Sequence, residues 1–509
     1  MARYKPYDYS QMMMVPVSLE DQLVPGTLEH TIHYVVEEHL DLSEFDREYK
    51  NDETGCKAYS PQVLLKTVLL GYSRGKKSSR KLEAACKENI VFMALACGQQ
   101  PDHSTFASFI SGIGMERIES LFIQVLMVCE EAGLLGGTHF SLDGLKLSSN
   151  ASKEWSGTHA DLHKKQKKLK ELVREAMVEH KRNDRQGDEP DEAGRRIERL
   201  ARKAKRIERF LSENEPKVGR MGKEIQSNVT DNESAKMKTS HGIVQGYNAE
   251  AMVDGSHQIV VCAEAFGEGG DGSVARIMLE GAQVNLEVAG CGATVLQEAV
   301  FSADTGFFTN ENLQACEELG VDAYIPDPNF RKRDPRLKDA RRFRRPTDRH
   351  KKQYQLKRKI YGPEDFKFDP VSGRLICPAG KKMCGSGSQS RRGDYRLESY
   401  RALKSSCTGC PLRAKCIRNP KQAGPRTVRY FRLDGNESLT SRMKKKIDTV
   451  EGRRIYSRRL GNVEPVFANI RAQKGMDRFT LRGQQKVNVQ WKLYCLVHNL
   501  EKLGGYGWN

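Results

Sequence analysis

Between residues 242 and 327 the sequence alternates strand-like and helix-like runs, and this order constrains the fold more than any other feature. GIVQGYNAEAMVD and HQIVVCAEAF read as two strands joined at Asp254-Gly255, a hairpin signal. GSVARIMLEGAQVNLEVAG reads as a helix and TVLQEAVFSADTGF as a strand ending in Asp304. TNENLQACEELG reads as a capped helix, with Thr309 or Asn310 at its start and Gly320 at its end, and VDAYIPD as a short strand. Upstream, THFSLDGLKLSSN sets Phe140, Leu142, Leu145 and Leu147 around a single Asp143, as a strand carrying one carboxylate does. Strands alternating with helices specify an α/β fold with a mixed sheet.

The flanking regions differ in character. Residues 1–135 read as all-helical. Ser60-Pro61 is an N-cap followed by proline at the first helical position, and Val63, Leu64, Val68 and Leu69 form the apolar stripe. Gly75 ends that helix and Ser78 or Ser79 starts the next, with Arg74, Lys76, Lys77, Arg80 and Lys81 in and just after the turn. Between 160 and 213 the sequence is polar, and Ile197, Leu200, Ala204, Ile207 and Leu211 recur at heptad spacing. With NDRQGDEPDEAG as the turn, this reads as an antiparallel helical hairpin; a coiled-coil dimer arm is the competing form. The expected domains are a helical one at 1–135, a core at 136–326 plus 451–509 with a helical insertion at 160–235, and a polar insertion at 327–450.

Charge narrows the choice of partner. Lys and Arg number 84 against 66 Asp and Glu, a formal net charge of +18. Residues 331–359 hold 15 Lys/Arg and 3 Asp, two thirds of the excess. Arg331, Lys332, Arg333, Arg341, Arg342, Arg344, Arg345, Lys351 and Lys352 belong to this run. A segment so basic repels itself unless it lies along a polyanion, nucleic acid before membrane. No apolar run reaches the ~18 residues of a transmembrane helix, and the first residues lack the apolar stretch of a signal peptide. A soluble, cytoplasmic protein without a membrane partner is expected.

Two residue sets suggest metal chemistry. Asp143 and Asp304 are acids flanked by apolar residues, where a buried charge must be compensated. Glu464, within IYSRRLGNVEPVFANIRAQKG, is a third such acid, and Pro465 behind it predicts a helix start or a kink. Carboxylates converging from separate elements suit hard divalent cations. Cys377, Cys407, Cys410 and Cys416 give C-x29-C-x2-C-x5-C, and the C-x2-C pair has the spacing of a zinc knuckle. Cys384 is a fifth thiol nearby. Reduced core cysteines, or a redox pair at Cys407 and Cys410, are the other readings.

Taken together, AYSPQVLLKTVLLGYSRGKKSSRKLEAACKENIVFMALACGQQPDHSTFASF, GYNAEAMVD, VFSADTGFFTNENL and YSRRLGNVEPVF resemble, in this order, a bacterial insertion-sequence transposase of the DDE type, the IS-four-like group. The resemblance implies an RNase H-like catalytic core and a helical N-terminal domain for DNA binding or dimerisation. It implies a triad of Asp143, Asp304 and Glu464 holding two Mg²⁺ (or Mn²⁺) ions. Tyr456, Arg459, Glu464 and Arg471 match the group's tyrosine–arginine–glutamate–basic signature, with one extra residue between Arg459 and Glu464 and arginine where many relatives have lysine. The implied activity is cleavage at the ends of a mobile element, then strand transfer of the 3′-OH into target DNA. The implied partner is double-stranded DNA, terminal inverted repeats and target, bound by a homo-oligomer that is a dimer on DNA ends at the bacterial nucleoid. Arg74, Lys76, Lys77, Arg80, Lys81 and the 331–359 run are candidate DNA contacts, and the four cysteines candidate ligands of a structural Zn²⁺. A catalytically inactive DNA-binding derivative and a structure-specific nuclease on the same core are the alternatives.

Overall fold

The computed structural model describes residues 17–47, 57–184, 191–219, 222–239, 242–334, 336, 360–392, 395–417, 424–433 and 438–507. The chain forms two compact units, Met1–Ile325 with Arg453–Asn509, and Pro326–Gly452.

In the first unit the strands are β1 (His139–Ser148), β2 (Ala235–Thr239), β3 (Gly242–Asp254), β4 (Val260–Phe266), β5 (Val300–Ala303) and β6 (Asp322–Tyr324). β1 pairs antiparallel with β3, and β2 and β4 divide the other edge of β3. On its far side β1 pairs in parallel with β5, which pairs in parallel with β6. An antiparallel hairpin beside β1, followed by two parallel strands, is the arrangement of an RNase H-like core.

The N-terminal helices include α1 (Leu28–Glu38), α2 (Pro61–Ser73), α3 (Ser79–Glu88), α4 (His103–Gly112) and α5 (Gly114–Glu131). Ser60 caps α2 by accepting the Gln62 N–H at 3.2 Å, and Ser78 caps α3 by accepting that of Lys81 at 3.3 Å. Their apolar faces do not close a core of their own. They share one with the sheet, through the C-terminal helix α12 (Gln484–Tyr506). Tyr494 of α12 stacks on Tyr72 of α2 at 4.6 Å, and Trp491 donates its indole N–H to the Glu250 carbonyl of β3 at 2.8 Å. Asn499 and Asn488 bridge both backbone groups of Val260 and Ala265, so side-chain amides satisfy part of β4 that pairing leaves open.

The polar stretch folds as two helices, α6 (His159–Asp184) and α7 (Asp191–Glu213), packed on each other. Leu162, Ile207 and Phe210 are buried between them with Val229, so the seam runs through Phe210 as well as the heptad positions. Helices α8 (Ala275–Val288) and α9 (Asn310–Glu318) flank the later strands, with Thr309 the N-cap of α9.

Two sequence expectations are corrected. Residues 295–298 form a helical turn before β5 rather than its beginning. Pro465 neither starts nor ends a helix but lies within α11 (Val450–Ala468), which follows α10 (Leu439–Asp448). Proline cannot donate to the carbonyl four residues earlier. That carbonyl, of Gly461, instead accepts the Gln258 side-chain amide at 2.9 Å. α11 runs directly into a π-helical turn, Asn469–Gln473.

The second unit carries a five-stranded antiparallel sheet of β7 (Lys367–Asp369), β8 (Arg374–Ile376), β9 (Lys382–Arg392), β10 (Tyr395–Arg401) and β11 (Thr427–Leu433), in sequential order. The core of this sheet is small: Phe366, Leu375, Met383, Tyr400, Ala402 and Val428 are its buried apolar residues among those described, with Phe330 and Ile447 buried elsewhere in the unit.

Candidate active site

The β1–β5 register sets Leu142 opposite Ala303, and the next residue along each strand is Asp143 and Asp304. Both line one open pocket with Gly144–Ser148, Asn248, Asp271, Arg471 and Asp477. Asp143 is held by its own neighbours: Oδ1 accepts the Gly144 N–H at 2.9 Å and Oδ2 accepts Arg459 Nη1 at 2.8 Å. Asp304 caps the short 3₁₀ turn after β5, its Oδ1 accepting the Gly306 N–H at 2.6 Å. Burial raises the Asp143 carboxyl above its ordinary range, although Arg459 beside it opposes the shift.

The signature residues are divided. Arg459 is buried, paired with Asp143, and lies over the Tyr456 ring at 5.8 Å. Arg471, in the π turn, lines the pocket. Glu464 is on the exposed side of α11 and is not among the lining residues. The sequence places it next to an apolar face, but Val463 and Val466 turn that face inward and leave Glu464 outside. As the side chains stand, no three or more His, Cys, Asp or Glu residues among those described form a set that could hold a metal ion.

Two pocket residues, Asn248 and Asp271, and the buried Glu250 that Asn248 bonds were not anticipated. Glu250, on β3, is opposite Gly144 of β1 and fully buried. Burial, then Asp271, Asp143 and Asp304 as like charges, pushes its carboxyl well above the usual range. Asp271 follows β4 in the glycine-rich loop GEGGDG, and burial raises its carboxyl too, against the hydrogen bond from Asn248. Asn248 donates to both acids. The signal for Glu250 was an acid set between two alanines inside the strand GYNAEAMVD, close to the signal that marked Asp143; no periodicity points to Asp271.

In the second unit Cys377, Cys407, Cys410 and Cys416 line one pocket, and Cys384 is exposed and absent from it. The Lys381 N–H donates to Cys377 Sγ at 3.3 Å. Burial pushes the Cys416 thiol up; Arg426 opposes this, and Cys407, Cys377 and Cys410 nearby add to it. No disulfide is formed among the described cysteines.

Of the basic candidates, Arg74 pairs with Glu29 at 3.3 Å, and Arg74 and Lys76 lie over the Phe92 ring. Lys77 binds the Gly475 carbonyl and Asp477, while Arg80 and Lys81 are exposed. Arg331, Lys332 and Arg333 fall in a short helix, Phe330–Arg333, where Arg333 pairs with Asp327 and Asp448. Arg341, Arg342, Arg344, Arg345, Lys351 and Lys352 lie outside the described residues.

Comparison with known families bears on this arrangement. A transposase DDE domain matches residues 376–504, and a second transposase domain, of the DUF772 family, matches residues 17–112. Together the two matches support an insertion-sequence DDE transposase. No curated protein matches it. The matched segments of the transposase include the four cysteines, the Tyr456–Arg471 signature and the basic turn after α2, but stop short of Asp143 and Asp304. The matched domains support a DNA transposase in general terms, and the family implies DNA binding and the use of divalent metal. No helix among its described residues is long and apolar enough to cross a membrane.

Proposed function

We propose that this transposase cuts the ends of its mobile element and joins the freed 3′-OH to target DNA, with Asp143, Asp304 and Glu464 holding two Mg²⁺ or Mn²⁺ ions. The observation that carries this reading is the parallel β1–β5 register, which delivers two carboxylates from separate strands to one open pocket. The donor set fits hard cations, being all oxygen and partly buried. Bound there, two such ions supply an activated attacking oxygen and a stabilised leaving oxygen.

The chain's own residues position and neutralise. Arg459 pairs with Asp143 while the site is free and yields it to a cation; Tyr456 supports its guanidinium. Arg471 offers a planar fork to a phosphate entering the pocket. Glu464 completes the ligand set by turning in from the exposed side of α11. Arg80, Lys81 and the 331–359 run bind the DNA backbone, and residues 1–135 contribute to DNA binding and to pairing of protomers on the two ends, at the nucleoid in the cytoplasm. In the second unit Cys377, Cys407, Cys410 and Cys416 close on one Zn²⁺ at about 2.3 Å each. Thiols gathered over so small a core are what a structural metal would staple.

The test is a nicking and strand-transfer assay in Mg²⁺ on DNA carrying the element's ends. Asp304→Ala and Asp143→Asn abolish both steps while DNA binding persists, because binding rests on phosphate contacts elsewhere. Cleavage near the wild-type rate by either variant rejects the assignment. A second reading, a derivative that binds DNA without cutting it, draws on the Arg459–Asp143 ion pair, which occupies an acid that the chemistry needs. Nicking by the wild-type protein would exclude it.

A further inference from the structure

The acid pocket contains more carboxylate than the triad supplies, and part of it lacks a partner. Asn248 Nδ2 donates to Asp271 Oδ1 at 2.7 Å and to Glu250 Oε1 at 2.6 Å. Asn248 is 1 % exposed and Glu250 not at all. Yet Asn248 Oδ1 and Glu250 Oε2 have no hydrogen-bond partner. Acceptor oxygens buried without a donor are costly, and each requires a reason. Both lie where four carboxylates approach one another, and none of the nearby cations, Lys146, Lys238, Arg459 and Arg471, donates to either oxygen, so positive charge at that spot is what the pocket lacks.

The backbone keeps room for that charge. A side chain at Gly306 would collide with Asp271 Oδ2 and lie 2.9 Å from Asp304 Oδ1, so these two carboxylates flank one glycine. A side chain at Gly144 would meet the Glu250 carboxylate at 2.5 Å. The loop bearing Asp271 is tied to the start of α9, just after Asp304. Asn312 Nδ2 donates to the Asp271 carbonyl at 2.9 Å, and Thr309 Oγ1 to that of Gly272 at 2.7 Å. Asp271 and Asp304 are thereby held by one braced turn.

We propose that Asp271 is a further ligand of the divalent-cation site, sharing an ion with Asp304, and that Asn248 is the positioning residue that aims it. The proposal rests on the reading of Asp143 and Asp304 as cation ligands. A hard cation takes six or more oxygens, and a third aspartate beside Asp304 supplies one without requiring Glu464. Glu250 stays behind them as a buried acid whose ionised form a bound cation would favour.

The probe is Mn²⁺ added to the full-length chain without DNA, with free Mn²⁺ read by electron paramagnetic resonance. Asp271→Asn weakens Mn²⁺ binding about tenfold or more, and Asn248→Ala weakens it by about tenfold, as loss of an outer-shell partner does. Asp271→Glu, which keeps the carboxylate, recovers part of the loss. Melting curves separate this from a folding defect: Asp271→Asn melts no lower than wild type without metal but loses the Mn²⁺-induced rise. If Asp271→Asn does not fold, Asn248→Ala carries the test alone. Wild-type Mn²⁺ affinity in Asp271→Asn, with affinity lost in Asp304→Asn, overturns the proposal and leaves the underlying reading intact. Wild-type affinity in Asp304→Asn and Asp143→Asn overturns the underlying reading as well.

Discussion

Asp143, Asp271 and Asp304 hang from a sheet backed by Trp491, Tyr494 and the N-terminal helices, whereas Cys377, Cys407, Cys410 and Cys416 sit over six buried apolar residues. In the first unit apolar burial sets the geometry, and the carboxylates are held close despite their mutual repulsion. In the second unit little apolar burial is available, and the thiols are the most concentrated set of ligand atoms. A metal in the first site would relieve strain in a scaffold that already stands. A metal in the second would itself be a large part of what holds the fold.

The largest expected effect follows from that contrast. Chelating zinc, or Cys410→Ser, should unfold 326–452 and leave the first unit folded, since structural zinc contributes about 10–16 kcal/mol in zinc-finger peptides. Limited proteolysis with metal analysis checks this; a second unit that resists protease after its metal is stripped would remove the distinction. The converse is Trp491→Ala, which should cost about 3–5 kcal/mol in the first unit. It also releases the Glu250 carbonyl, so Mn²⁺ affinity should fall with stability, and the second unit's melting should not move.

The pH dependence of the metal-free protein sharpens the comparison further. Asp143, Asp271 and Glu250 all have carboxyls raised in the fold, by burial first. The folded protein therefore binds their protons more tightly than the unfolded chain does. Their contribution to stability is complete below the unfolded pKa of about 4 and is lost as pH climbs through the folded values. In chelator, the stability gap between Glu250→Gln and wild type should widen in favour of the variant as pH rises. A gap that does not change with pH would mean the carboxylates do not strain the fold. The smallest effect is expected from Gln258→Ala, which leaves the Gly461 carbonyl without its donor and should cost about 1 kcal/mol in denaturant titration.

What the sequence made legible, and what it hid, follows the same division. Asp143 and Asp304 were readable because each is one acid among apolar strand residues, and parallel pairing then brings them together. Glu250 carries a similar mark, but an acid in an antiparallel hairpin strand usually faces water, and only the pairing with Gly144 shows that this one does not. Asp271 lies in a glycine-rich loop without periodicity, so its place depends on Asn248 and Asn312, both distant in sequence. Pro465 suggested a helix start or a kink because proline removes a hydrogen bond; nothing local reveals that the Gln258 side chain donates to the Gly461 carbonyl left over. The C-x2-C spacing suggests thiols brought together, and Cys377, Cys407, Cys410 and Cys416 line one pocket from which Cys384 is absent.

The π turn at Asn469–Gln473 has a consequence for how this chain tolerates change in length. A π turn accommodates one residue more than the α-helix would. Removing a single residue there would let the segment relax to α-helical winding with every backbone bond still made, so the fold would survive. Each residue is worth about 100° of rotation, and Arg471 would swing away from the acids that it now faces. An indel of one codon in this stretch is thus a change in heading, which would take the arginine out of the pocket that it now lines.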